Sequence, residues 1–212
     1  LGKTLASLPK RTSLFAYLTS SLFYRDALNG VYTFGGIYAT FVLNWSITFV
    51  GVFGIVGAIS AAFFSWVGGF ADRRFGPKPV IVTCVILLIC VCAVILNMTP
   101  EQIFGVALPE GSKMPTYVFF GCGAVIGAAG GALQSSSRTL MVRHSNPDRP
   151  AEAFGLYALS GKATSFLAPM LIAIATQATG SARLGVSPLI GLFILSLVIL
   201  VWVNPKGDVK RV

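Results

Sequence analysis

An arginine and an aspartate stand side by side in "LFYRDALNGVYTFGG" (residues 22–36), a stretch otherwise apolar enough to lie in lipid. An ionised side chain at the centre of a bilayer costs about 2.5–3.5 kcal/mol on insertion scales. Arg25 falls about twelve residues into its segment, roughly 18 Å of helix, near the midplane of a ~30 Å hydrocarbon core. Water is hard to reach from there, so both groups must face protein or an aqueous cavity. Neighbouring helical residues point in different directions, which makes the two poor partners for each other. Asp26, Asn29 and Thr33 share one face at i, i+3 and i+7, and Arg25, Asn29 and Tyr32 line the next. Lys162, in "YALSGKATSFLAP", and Gln134 are further polar groups inside apolar stretches. Lys162 lies about eight residues, or roughly 12 Å, into its helix, from where it could pair with Asp26 across helices. Two roles fit this set: an ion pair that orients helices, or the polar lining of a substrate or ion pathway. Intramembrane ionisable residues favour the second. Asp26 is the sole deep carboxylate, and so the one candidate proton site there.

Other chemistry finds no support. The one histidine, His144, falls in a polar stretch beside Arg143 and is expected to be solvated. There is no His-Glu-x-x-His, no Gly-x-Ser-x-Gly and no second membrane carboxylate for paired acid–base work. "GAAGGALQSSS" lacks the lysine of a phosphate-binding loop. Cys84, Cys90, Cys92 and Cys122 all fall in apolar stretches without metal-ligand spacing, as small packing residues do. No enzyme, catalytic residue, metal or cofactor is implied.

The elements that must position these groups follow from hydropathy. Of 212 residues, 55% are hydrophobic and 11% charged, and the mean hydropathy is +0.79. That composition suits a bilayer. Six stretches qualify as spans of about 20 apolar residues. They give an all-α, polytopic membrane protein forming a single domain over residues 1–212, with six transmembrane helices at about 13–42, 47–71, 80–97, 116–140, 154–177 and 188–204. Between the second and third, "DRRFGPKP" (72–79) reads as a polar turn, because Pro77 and Pro79 bar regular helix. The loop 98–115 is the longest connection. No cleavable signal peptide is visible, and a chain opening on Leu1 is expected to have further polypeptide upstream.

The net charge of +9 invites a nucleic-acid reading, but the basic residues sit in short loops and tails. On one side fall Lys3, Lys10, Arg11, Arg73, Arg74, Lys78, Arg138, Arg143, Arg149, Lys206, Lys210 and Arg211; Lys113 and Arg183 fall on the other. This asymmetry places both termini in the cytoplasm, in what is expected to be a bacterial cytoplasmic membrane. Helix packing is written in small residues. Gly123, Gly127, Gly131 and Ser135 recur every four positions, and Gly51, Gly54, Gly57, Ala58 and Ala61 crowd the second helix. Such stripes let backbones approach closely in lipid, whether to pack rigidly or to slide.

The turn "GGFADRRFGPKPV" resembles the loop signature of the major facilitator superfamily, Gly-x-x-x-Asp-(Arg/Lys)-x-Gly-x-(Arg/Lys). Gly68, Asp72 and Arg73 match its first part. Gly76 and Lys78 match its second, with Arg74 or Phe75 as one extra residue between. "YRDALNGVYTFGGIYA", "GGALQSSSRTLMVR" and "FGLYALSGKATSFLAP" extend the resemblance over nearly the whole chain, to the C-terminal six-helix half of a bacterial branch similar to vacuolar amino-acid effluxers. The resemblance implies one half of a twelve-helix secondary transporter with substrate bound between halves at mid-membrane and access alternating by rocking. Arg25, Asp26 and Asn29 would line the cavity, while Lys162 would pack beside it. Residues Gly68, Asp72, Arg73, Arg74, Gly76 and Lys78 would form a cytoplasmic gate in which Asp72 meets the free N–H groups of a helix N-terminus. The expected partners are the lipid bilayer, a small polar substrate, and the missing N-terminal half or a second copy. A non-transporting membrane module built on the same half is the alternative.

Overall fold

The computed structural model describes residues 11–146 and 150–207. Lys3, Lys10, Arg149, Lys210 and Arg211, counted above for orientation, lie outside the described residues. Within them the chain is an all-α bundle. Its helices are α1 (Thr12–Phe41), α2 (Ile47–Phe75), α3 (Pro77–Leu96), α4 (Met114–His144), α5 (Pro150–Ala163), α6 (Leu167–Thr179) and α7 (Ser187–Leu200), with a 3₁₀ turn at Leu184–Val186 before the last. The long connection between α3 and α4 folds into a two-stranded antiparallel hairpin of β1 (Gln102–Ile103) and β2 (Val106–Ala107).

Among the described residues, four segments are long and apolar enough to cross a membrane: α2, α3, α4, and residues 151–179 taken across the α5–α6 junction. The first and last expected spans differ. α7 with its 3₁₀ turn is a shorter apolar helix. α1 is long, but it is the polar heart of the bundle. It buries Ser13, Tyr17, Ser20, Ser21, Tyr24 and Asp26 against other helices, so its partners are protein rather than lipid. α2 is its opposite. Only Gly68 and Asp72 are buried among its 29 residues, and Ile47, Ile55, Ile59, Phe63, Trp66 and Phe70 all stand exposed. A helix apolar all round needs an apolar surrounding.

Two junctions depart from expectation. The turn expected at 72–79 is a single residue: α2 runs on to Phe75, Gly76 adopts φ +85°, and α3 begins at Pro77. Pro77 and Pro79 occupy the first turn of α3, where the backbone N–H has no intrahelical partner, so the missing donors cost nothing. Gly76 serves as the end of one helix and the start of the next, in a conformation that a Cβ would oppose. The fifth helix, expected unbroken over 154–177, is interrupted at residues 164–166. Pro169 accounts for part of this, because its ring clashes with the carbonyl of residue 165 and it cannot donate. Leu167 N–H turns back to Thr164 O instead, at 2.8 Å.

α4 is the spine. It packs along α2 and α3, while α1 packs along α7. The α2–α4 seam is made by the expected glycines: a side chain on Gly127 or Gly131 would strike the backbone of Gly57 or Ala61, and one on Gly123 would strike the Phe53 ring. Gly51 and Gly54 have open space around them. At one end, Trp45 closes the seam with Phe49, Phe53, Phe119 and Phe120.

Candidate functional site

Arg25 and Asp26 sit at the centre of α1, and both turn to the interrupted helix. Asp26 is 1% exposed. Its Oδ2 accepts the N–H of Ala168 at 2.8 Å. Ala168 is the second residue of α6, so a carboxylate from another helix performs the capping that a side chain at position 166 would otherwise supply. Phe166 stands there and makes no side-chain cap. The positive end of the α6 dipole favours the anion. Asp26 Oδ1 is buried and has no hydrogen-bond partner among the described residues, and the same holds for Thr164 Oγ1 inside the break.

Arg25 grips the other side of the break. Its Nη1 donates to Tyr157 O at 2.8 Å, and its guanidinium lies 4.1 Å over the Tyr157 ring. Gly161 makes room: a Cβ there would lie 2.5 Å from Arg25 Cζ. Neighbouring residues on one helix thus hold α5 and α6 separately.

The remaining candidates are placed differently. Lys162 is exposed and does not meet Asp26; the cross-helix pair envisaged above is replaced by the Ala168 bond. Asn29 and Thr33 are exposed, and the Thr33 hydroxyl donates to Asn29 O at 3.0 Å in its own helix. Gln134 is exposed and lines a cleft of about 520 Å³ with Gly131, Ser135, Arg138 and Thr139. Asn29 and Thr33 lie one turn apart on α1, while Lys162 belongs to α5.

A polar cluster that the sequence did not single out lies on another, buried face of α1. Ser137 is its centre. Tyr17 OH donates to Ser137 O at 2.5 Å and lies 2.9 Å from Ser137 Oγ. Tyr24 OH and Tyr157 OH approach the same Oγ at 2.5 and 2.7 Å. One assignment satisfies every hydroxyl: Tyr24 and Tyr157 donate to Ser137 Oγ, which donates to Tyr17, which donates to the Ser137 carbonyl. His144, expected in solvent, is fully buried. It stacks on Tyr17 at 5.4 Å, and its Nε2 lies 2.9 Å from Ser13 Oγ. It ends α4 instead of standing in a loop, because that helix runs four residues beyond its expected end at about 140. The signal available was the i, i+4, i+7, i+11 spacing of Ser13, Tyr17, Ser20 and Tyr24.

The loop motif occupies the end of the bundle where α2, α3 and α4 meet. Gly68 lets α2 approach Ala132 of α4. Asp72 is buried inside α2, and its Oδ1 accepts the Ser136 hydroxyl at 2.6 Å. It therefore meets a side chain of α4, where a helix N-terminus was expected. Arg73 is exposed beside a cleft of about 490 Å³ that Asp72 and Arg143 also line. Arg74 is exposed, 5.6 Å from the Phe75 ring. Lys78 donates to Val203 O at 2.7 Å and Val201 O at 3.2 Å, carbonyls of the segment just past the end of α7.

The model of the family described as "Vacuole effluxer Atg22 like" matches residues 1–210. The chain belongs to that family. Relatives of this chain include the uncharacterized MFS-type transporter YxiO of Bacillus subtilis, 26% identical over 96% of this chain and 44% of YxiO. Autophagy-related protein 22-2 of Aspergillus oryzae is 26% identical over 96% of this chain and 33% of its own length. Its counterpart in Emericella nidulans is 28% identical over 88% and 31%. The chain therefore spans between 31% and 44% of the length of these curated relatives. It is a helical membrane protein of a transporter family of the major facilitator type.

Proposed function

We propose that this chain is one six-helix half of a secondary transporter that moves a small polar metabolite, with amino-acid efflux as the leading case, across the cytoplasmic membrane of a bacterium by alternating access. The observation that carries this is the broken helix. An arginine and an aspartate at mid-span hold the two pieces separately, and discontinuous helices at mid-membrane are where transporters place their sites. The family description, vacuole effluxer, supports export. Asn29, Thr33, Gln134 and Lys162 lie exposed in this half. In a full transporter their face would be met by a second six-helix half, the N-terminal one or another copy, and would line the substrate space. Gly68, Asp72, Arg73, Arg74, Gly76 and Lys78 would form the cytoplasmic gate, with both termini on that side, a reading the distribution of basic residues supports.

The test is export from vesicles carrying the full polypeptide, loaded with labelled amino acids. Arg25→Gln and Asp26→Asn are expected to lower export by tenfold or more while membrane yield stays within twofold of wild type. Export unchanged in both variants would remove the pair from the pathway. No export of any amino acid by the wild type would sink the substrate class.

A further inference from the structure

We infer that the gap between α5 and α6 is a binding site for a small monovalent cation of the sodium class. Three observations converge there. Asp26 Oδ1 is buried and unpartnered among the described residues. Its sister oxygen accepts Ala168 N–H, which holds the carboxylate at the start of α6, beside the break. Thr164 Oγ1, one turn before Ala168, is also buried and unpartnered.

The backbone adds oxygen. In an unbroken helix the carbonyl of Ala163 would receive Leu167 N–H, but that donor goes to Thr164 O. The carbonyl of Ser165 would receive the N–H of residue 169, which is proline and has none. Helical carbonyls point toward the C-terminus, so the end of α5 presents its negative pole to the gap. A carboxylate, a hydroxyl and released carbonyls form an all-oxygen set of the kind that holds hard cations. Uncoiled carbonyls at a helix break are a recurring way to hold such ions at mid-membrane.

Charge selects the class. Asp26 is the one carboxylate in the gap, and a single negative charge neutralises a single positive one. Arg25, engaged with Tyr157 O and lying against Gly161, adds fixed positive charge nearby and disfavours a divalent ion. The bound ion would satisfy two oxygens whose burial without partners is otherwise costly. It would also tie α1, α5 and α6 together through one point.

The experiment follows unfolding of the full polypeptide in detergent by tryptophan fluorescence. Sodium, lithium, potassium or choline chloride is added at constant ionic strength and pH. Sodium is expected to raise the midpoint saturably by a few degrees over choline, as any ligand specific for the folded state does. Asp26→Asn should abolish the rise. Thr164→Val leaves the carboxylate and the Ala168 cap in place, and is expected to need about tenfold more sodium for half the effect, as loss of one neutral ligand implies. Should Asp26→Asn fail to fold, the Thr164→Val titration decides alone. Equal midpoints in choline and all three alkali salts would overturn the inference. So would an unchanged sodium titration in Thr164→Val, or a rise on acidification in choline with none on adding any alkali cation, which would assign the gap to a proton. Because the readout is binding, its failure leaves the transport proposal standing, and failure of transport leaves the ion site standing.

Discussion

Two seams in this bundle join helices by opposite means. Between α2 and α4 the contact is dry and backbone against backbone, made where Gly127 and Gly131 face Gly57 and Ala61. Around α1 it is polar, made by Arg25 with α5, by Asp26 with α6, and by the tyrosines of α1 and α5 that meet Ser137 of α4. Lipid is as apolar as leucine, so the first seam gains little from apolar burial and depends on close van der Waals fit. The second depends on donors and acceptors that would be costly to leave unmade in the same surroundings. A dry seam has one good distance of approach. A polar seam can exchange partners, and this one holds the two halves of a broken helix independently.

The largest expected effect comes from filling the dry seam. Gly127→Leu forces α2 and α4 apart along their length and is expected to cost more than about 3 kcal/mol, read as loss of folded protein in a detergent thermal-unfolding assay. Gly54→Ala is the internal control. Space around Gly54 is open, and alanine favours helix over glycine by roughly 0.5–1 kcal/mol, so its midpoint should stay level or rise. If Gly127→Leu unfolds no more easily than Gly54→Ala, the seam is not where stability resides.

The polar seam should yield less per substitution. Ser137→Ala takes the acceptor from Tyr24 and Tyr157, whereas Tyr17 keeps the Ser137 carbonyl. Two buried unpaired hydroxyls would cost about 1–3 kcal/mol each in water-soluble proteins. Membrane reference states find alternative partners, which lowers the figure to about 2 kcal/mol in total. Asp26→Ala removes the cap on α6 and is expected to cost about 1–2 kcal/mol. Hydrogen exchange should then rise at residues 167–170 and not along α4. Uniform exchange changes over the whole bundle would mean that Asp26 supports the global core and not one helix end.

The two seams also differ in how far the sequence revealed them. The glycine seam was legible because its rule is local. Gly123, Gly127 and Gly131 recur at i+4, and whatever helix meets them must come close. Arg25 and Asp26 were legible as buried charges, because the cost of exposing them to lipid does not depend on the partner. Their partners were not legible. Asp26 meets a backbone N–H, which every residue but proline carries, so no side-chain type pointed to Ala168. Lys162 looked like the natural counter-ion only because charge is visible in a sequence and a freed amide is not. The break itself had a signal in Pro169, weakened because proline is tolerated in the first turn of a helix. Ser137 stayed hidden among three consecutive serines, whose individual directions depend on helix phase, and α4 runs to residue 144 instead of about 140. Asp72 was read as a helix-end residue because Pro77 and Pro79 seemed to end the helix early; in fact they open the next one.

The smallest effect is expected at Lys162, and it separates two accounts of the polar seam. If a lysine–aspartate pair held α5 to α1, Lys162→Gln would leave a buried carboxylate uncompensated, and breaking such a pair costs about 3–5 kcal/mol. The observed arrangement gives a different outcome. Lys162 is exposed and Asp26 is already bonded to Ala168, so Lys162→Gln should change the unfolding midpoint by no more than other surface substitutions, within about 0.5 kcal/mol. Combining it with Asp26→Ala sharpens the point. Residues without a shared partner add, so the double variant should fall at the sum of the singles within about 0.3–0.5 kcal/mol. A coupling of 1 kcal/mol or more, on the order expected for residues in contact, would restore the ion pair. Asp26 would then hold α1 to α5 through Lys162 as well as capping α6, and the independence of the two helix pieces would be lost.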